Sequence, residues 1–286
     1  MVKTIGNPLS WGAHILGEAG HDVGEVTREL GGAAAAPPTV RRIGVSDLRA
    51  ALRLGAADFM ALRSDVIMAC LLYPIIGVCL VWVAFNRNLL PLVFPLVSGF
   101  ALLGPAAAVG LYEMSRRREQ GKPAGWSTGF SVLASPRFGA ILVLAAAHFF
   151  VFFLWILVAY GIFLVTMGPE IPASATVFFR DVMSTGAGWA MILLGIPAGF
   201  LFAVFVLATS AVSFPLLIDR NVGLPVAVVT SVRVARTNPA TMALWGLIVA
   251  GALVLGSLPL LLGLAVAMPI LGHATWHLYR RAVTPV

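Results

Sequence analysis

The sequence predicts an all-α, polytopic membrane helix bundle of six transmembrane helices, built as three repeats of a short interfacial helix plus a helical hairpin. Three observations carry this prediction. The 286 residues are 59% hydrophobic and only 11% charged, against roughly 25% charged residues in soluble domains, and a soluble fold has no interior large enough for that much apolar surface. The apolar residues lie in long continuous runs, where a β-barrel would need short alternating segments. Finally, the chain repeats itself. Pro95–Arg117 aligns without a gap on Pro259–Arg281, with Pro95/Pro259, Gly99/Gly263, Ala101/Ala265, Pro105/Pro269, Arg116/Arg280 and Arg117/Arg281 identical and Tyr112 opposite Trp276. Such internal repeats mark repeated structural units.

Residues 1–44 read as a mobile cytoplasmic segment, acidic at Glu18, Asp22, Glu25 and Glu29, joined by the Ala/Pro linker GGAAAAPPTV to the membrane domain at 45–286. The first twenty residues hold one early Lys and no long apolar core, so no secretory signal is expected and the first span directs insertion. His14 and His21 would share a helical face, but solvated side chains are the reading taken there.

Ser46 is expected to cap an amphipathic helix, with Leu48, Ala51, Leu52, Gly55, Phe59 and Leu62 on one face and Asp47, Arg49, Arg53 and Arg63 on the other. Such a helix is too charged to span and is expected along the headgroup region. Span one then covers Val66–Phe85 and span two about Leu89–Ser115. After the loop RRREQGKPAG, Pro123 opens a second short helix with Trp126, Phe130 and Leu133 as its buried edge. Span three is Phe138–Met167 and span four Trp189–Ile218. Pro225 opens a third short helix, apolar at Val228, Val232 and Ala235, basic at Arg233 and Arg236, and broken by Asn238-Pro239.

The last apolar run, Ala240–His277, would reach about 57 Å as one helix, against a hydrocarbon core of about 30 Å. Gly256-Ser257-Leu258-Pro259 is a turn signal that splits it into span five, Ala240–Ser257, and span six, Pro259–Arg281. Charge favours the split. With six spans nearly all basic residues share one side, leaving only Arg87 and Arg180 on the other, as the positive-inside principle requires. The repeat units become 46–117, 123–220 and 225–281, with both termini cytoplasmic in a bacterial inner membrane. The net charge of +7 is explained in the same way, so the bilayer is the expected partner and nucleic acid is not.

No Asp, Glu, Lys or Arg falls in the middle of a proposed span, which weakens the case for an ion-coupled transporter. Asp65, Glu113 and Asp219 sit at span ends beside Arg63, Arg116 and Arg220. Pro95, Gly99, Pro105, Pro215, Pro259, Gly263 and Pro269 read as structural, bending spans or allowing close packing. Cys70 and Cys79 are nine helical steps apart, on nearly opposite faces, and cannot bridge. The cofactor candidates are histidines. His273 and His277 share one helical face near the end of span six, and His148 lies in span three. Two such histidines could hold a metal or a haem. Interfacial hydrogen bonding beside Trp276 and Tyr279 is the commoner use, so no metal, cofactor or catalytic residue is assigned. No phosphate loop, nucleophile motif or dinucleotide fingerprint is present.

RRIGVSDLRAALRLGAADFMALRSD, YPIIG and GFALLGPAAAVGLYEMSRR resemble the bacterial integral-membrane family called domain of unknown function 2189, over roughly residues 40–282. The pairs Asp47-Leu48, Asp58-Phe59, Ser64-Asp65, Tyr73-Pro74 and Gly104-Pro105 carry the resemblance. It implies a polytopic inner-membrane protein without an established activity, some of whose relatives carry a cytochrome c oxidase subunit label. A catalytic oxidase subunit needs histidines in many spans for two haems and a copper, and three do not suffice. The expectation is therefore a non-catalytic accessory or assembly protein of a membrane complex, with a carrier or channel for a small solute or lipid as the alternative.

Overall fold

The computed structural model describes residues 38–86, 89–170 and 172–284. His14, His21 and the acidic N-terminal residues lie outside them. Thirteen α-helices follow in order: α1 (Val45–Cys70), α2 (Leu72–Asn86), α3 (Val93–Phe100), α4 (Gly104–Ala107), α5 (Val109–Glu119), α6 (Trp126–Phe130), α7 (Phe138–Met167), α8 (Ala175–Ser184), α9 (Gly186–Ser210), α10 (Ser213–Asp219), α11 (Leu224–Thr237), α12 (Pro239–Ser257) and α13 (Leu264–Ala282). Short 3-10 turns link α2 to α3, α3 to α4 and α6 to α7. Among the described residues four apolar stretches have the length to cross a bilayer: Leu90–Glu119, Phe138–Met167, Gly186–Asp219 and Pro239–Ser257; Pro74–Phe85 is a shorter apolar helix.

The most extensive packing joins the two ends of the described chain, α1 against α13. The pair is antiparallel. Val40 and Val283 form an isolated bridge, Arg281 reaches Asp47 at 3.1 Å, and Gly77 of α2 lies against Leu261. Between these points Gly55 touches the backbone of Ala274, where a Cβ on Gly55 would lie 2.5 Å from the Ala274 nitrogen. Only the absence of a side chain allows that approach.

The apolar stripe of α1 is buried as its periodicity predicts, with Leu48, Ala51, Phe59 and Leu62 all under a tenth exposed. Its setting differs from the expectation. α1 continues to Cys70 instead of ending as a short helix, and α13 covers the stripe. The cap also differs: the Asp47 carboxylate accepts the Gly44 N–H at 2.9 Å, so the helix begins at Val45 and Ser46 lies within it. Residues 38–44 are tied to the C-terminus. Arg41 N–H donates to the Ala282 carbonyl at 2.8 Å, and Asn238 accepts from Ile43 N–H at 2.8 Å and donates to the Arg41 carbonyl at 3.1 Å.

α7 occupies Phe138–Met167 as predicted. The final apolar run is split at the expected turn, with Leu258–Gly263 between α12 and α13. Leu260 and Leu261 hold φ of 52° and 67° there, a left-handed conformation that costs a side-chain-bearing residue roughly 1–2 kcal/mol. Gly256 and Gly263 meet backbone to backbone at this turn.

Two expectations about the short helices are corrected. α6 starts at Trp126, not Pro123; Phe130 and Leu133 are exposed, and Val132 is the buried residue, because the chain turns into a 3-10 helix at Ser131 and rotates the side chains. α11 has its predicted extent and exposes Arg233 and Arg236, but buries Ala227, Thr230, Ser231 and Val234 instead of a Val228–Val232 stripe.

The duplicated stretches differ in their first halves. Pro95 and Gly99 lie inside α3, whereas Pro259 lies in the turn and Gly263 caps α13. The Pro95 carbonyl accepts the Trp155 indole N–H at 2.9 Å, and a Cβ on Gly99 would strike Phe152 and Trp155 at 2.8 Å. Pro105 opens α4, Pro215 is buried in α10, and Pro269 sits inside α13.

Gly55→Ala should lower the melting temperature in detergent by the equivalent of about 1–3 kcal/mol, the usual penalty of overpacking. Gly251→Ala, whose Cβ would meet no atom within 4 Å, should be neutral or stabilise its helix by up to about 1 kcal/mol. Equal effects at both sites would remove the α1–α13 contact from the argument.

Candidate functional site

The Gly55–Ala274 contact brings one turn of α1 onto one turn of α13, and a polar network forms there. Asp58 projects from the buried face of α1 and is 5% exposed. His273 and His277, one turn apart on α13, bracket it, and α5 supplies Ser115 and Arg118. His277 Nε2 is 2.8 Å from Asp58 Oδ2. Arg118 Nε lies 2.8 Å from Asp58 Oδ1. The Ser115 hydroxyl donates to Asp58 Oδ2 at 2.7 Å and its oxygen is 2.7 Å from His273 Nδ1.

Proton accounting fixes the roles. An ionised carboxylate only accepts, so His277 Nε2, Arg118 Nε and the Ser115 O–H all donate to Asp58. Ser115 has then used its one proton, so His273 Nδ1 carries the hydrogen that points at the Ser115 oxygen. His273 Nε2 is left with a lone pair, buried and without a hydrogen-bond partner. Burial of Asp58 opposes its ionisation, but the hydrogen bonds from His277 and Ser115 outweigh it and hold the carboxyl below its ordinary value.

The order Asp58–Ser115–His273 does not activate a nucleophile. Ser115 stands in the middle with its proton held by a carboxylate, where a nucleophilic serine needs an imidazole between itself and the acid. Nor do His273 and His277 converge on a shared open position, since each spends a ring nitrogen within the network. Among the described residues no group of three or more His, Cys, Asp and Glu is arranged to hold a metal. The network can hold α1, α5 and α13 together.

Of the three predicted pairs at the span ends, two lie among the described side chains and both are present. Arg116 grips Glu113 through two hydrogen bonds, at 2.7 and 2.9 Å, and Arg220 lies 3.5 Å from Asp219. Asp219 also accepts from the Tyr279 hydroxyl at 2.6 Å. The side chains of Arg63, Asp65 and Cys70 fall outside the described residues; Cys79 is a free, exposed thiol. Trp276 donates to Glu119 at 2.9 Å, and Arg280 joins the same carboxylate at 3.0 Å.

His148 stands apart from the other two. On α7, it lies 2.8 Å from the Leu144 carbonyl and 3.2 Å from Thr209 of α9. It lines an open apolar groove of about 780 Å³ between α7, α9 and the start of α11, with Leu154, Phe202, Phe205 and Val228 among the walls. Sequence reasoning missed Asp58 and Ser115. The available signal was Asp58 itself, three residues after Gly55 and four before Leu62, a carboxylate on the apolar stripe of a helix.

Asp58→Ala should cost roughly 3–5 kcal/mol at neutral pH, because His277, Arg118 and Ser115 would lose a buried partner. The pH dependence has a definite sign. Asp58 is depressed below its ordinary value of 3.8, so its contribution is complete above that value and is lost as pH falls through the folded-state value. Acid unfolding of Asp58→Asn should lack this step; an unchanged acid limb in the variant would refute the assignment.

No curated protein and no solved structure matches this chain. Among family models, residues 93–219 match the one described as "Predicted integral membrane protein (DUF2189)". That is narrower than the expected 40–282, and runs from α3 to the end of α10. The match and the apolar helices together make this an integral membrane protein that is similar, over residues 93–219, to the family called domain of unknown function 2189.

Proposed function

We propose that this protein is a non-catalytic accessory or assembly protein of a larger membrane complex, a respiratory one being the candidate that the resemblance offers. It would lie in the bacterial inner membrane with six spans in three repeat units and both termini cytoplasmic. The observation that supports this reading is the isolation of the Gly186–Asp219 stretch. Only 6% of its apolar window is buried within the chain, against 28% for Phe138–Met167 and 29% for Leu90–Glu119.

Leu193, Ile196, Phe200 and Leu201 are each more than three-fifths exposed. Gly199 is in use, packed on Trp155, whereas a Cβ on Gly195 would meet nothing within 4 Å. A small residue at an outward notch, four residues from a second glycine and two from Pro197, is the surface that lets another span approach closely. The outer helix α8 adds exposed Phe179 and Met183 beside it. The carrier or channel alternative draws its support from the lateral groove at His148, whose apolar lining suits a lipid better than a polar solute.

Gentle purification from native membranes, read by mass spectrometry, tests the proposal. Stoichiometric partners should accompany the wild type, and Gly195→Leu should lose them without a change in its own melting temperature. A solitary wild-type protein, together with solute or lipid flux in proteoliposomes, would reject the accessory role in favour of the carrier. For topology, reporters fused after Arg220 and after Arg281 should both report the cytoplasm. Activity after Arg220 with silence after Arg281 would reject six spans.

A further inference from the structure

The two arginine pairs of the repeat are neutralised in different ways, and the difference points to a ligand. In the second copy, Arg280 meets Glu119 at 3.0 Å and Asp219 at 3.4 Å, and Arg281 meets Asp47 at 3.1 Å. Three carboxylates serve these two guanidiniums, one of them, Asp219, being shared with Arg220 at 3.5 Å. In the first copy Arg116 and Arg117 share one carboxylate, Glu113, at 2.7 and 2.8 Å. A third guanidinium, Arg137 at the start of α7, stands beside them, donating to the Ile218 carbonyl.

These groups surround a cavity of about 160 Å³ whose other polar walls are Ser131 and Ser135. That is the space of about five waters at roughly 30 Å³ each. The Arg116 and Arg117 side chains are only 22% and 30% exposed, and Glu113 is 4% exposed. Three part-buried cations set against Glu113, with Asp219 acting on Arg116 from farther off, leave surplus positive charge where water screens it poorly. Ser135 completes the donor set, because the Ser131 O–H is given to the Thr128 carbonyl at 2.7 Å. Ser131 accepts from Arg117 Nη2 at 3.2 Å, which aims that guanidinium, and Ser135 accepts the Arg137 N–H at 3.3 Å, leaving its own O–H to donate.

The cavity lies where the apolar Leu90–Glu119 stretch ends and Phe138–Met167 begins; the ends of apolar stretches this long fall in the headgroup region of a bilayer. One face of α7 leads away from it: Arg137, Ile141, Leu144, His148. Ile141 lines the polar cavity, and Leu144 and His148 line the apolar groove of about 780 Å³. Seven residues of helix separate Arg137 from Leu144, about 10 Å.

We propose that Arg116, Arg117 and Arg137, with Ser135, bind the phosphate of an anionic phospholipid whose acyl chain follows this face of α7 into the groove. Forked guanidiniums match phosphate oxygens in pairs, and basic pockets between spans are suited to acidic headgroups. The site stands whether or not another protein packs on α9.

The test is native mass spectrometry of the purified full chain offered phosphatidylglycerol and phosphatidylcholine with identical acyl chains, and separately inorganic phosphate. One phosphatidylglycerol should be retained at least about tenfold in preference to phosphatidylcholine, which is about 1.4 kcal/mol. Arg117→Gln combined with Arg137→Gln should abolish the preference, and Leu144→Trp should weaken lipid retention without touching inorganic phosphate. If the paired arginine variant does not fold, the wild-type preference and its loss in high salt still decide. Equal retention of the two lipids, or a preference that survives the arginine variant, would overturn the proposal. Displacement of the lipid by millimolar inorganic phosphate would show a free-anion site and overturn the lipid assignment.

Discussion

The structure depends on one close approach, the backbone of Gly55 against the backbone of Ala274. It sets how near α1 comes to α13 and therefore what the residues one turn away can reach. At a wider spacing the Asp58 carboxylate would not sit 2.8 Å from His277, and the Ser115 hydroxyl could not lie within 2.7 Å of both Asp58 and His273. The same antiparallel pairing carries the Val40–Val283 bridge and the Arg281–Asp47 ion pair at its end. Joining the two ends of the described chain leaves the long middle helices, α7 and α9, with many of their apolar side chains turned outward. The two pack on each other more than on any other single element.

Charge follows the same division. Around α1, α5 and α13 the ionisable groups are turned inward and matched, so that Asp58, Glu113 and His273 are almost completely buried. A buried ion is tolerable only with partners that return its lost hydration, and Asp58 has three. Along α7 and α9 the opposite solution holds. The exposed residues are Phe150, Leu157, Val165, Leu193 and Phe200, side chains for which lipid is the better solvent. Thus one end of the bundle is a polar, internally satisfied assembly, and the rest is an apolar surface with a groove in it.

Much of this was legible in the sequence, and the misses have physical causes. α7 is uniformly apolar and bounded by Arg137 and Gly168, so its limits follow from hydropathy alone. The turn at Leu258–Gly263 followed from length against bilayer thickness. The face of α1 followed from its period, but not what covers it, because an amphipathic stripe looks the same whether lipid or another helix lies against it. For that reason Asp58 was placed on neither face of the helix and given no role. The histidine spacing put His273 and His277 on one face correctly. Their partner lay more than two hundred residues away in the chain, where no local pattern reaches. The cavity beside Glu113 was equally hidden, since it needs Arg137 from a different helix.

The repeat shows the same limit from another side. Identical residues in the two copies meet different neighbours: Gly99 makes room for Phe152 and Trp155, Gly263 for the backbone of Gly256. At the aligned positions 113 and 277 one copy has glutamate and the other histidine. Glu113 turns back on its own arginines one turn away. His277 turns outward to a carboxylate on α1, which frees Arg280 and Arg281 to recruit Glu119, Asp219 and Asp47. A single exchange of glutamate for histidine thus alters which elements each copy can hold. The second copy is thereby bound into the polar assembly by four contacts to other elements. The first copy, whose carboxylate is spent locally, keeps its positive charge beside a cavity.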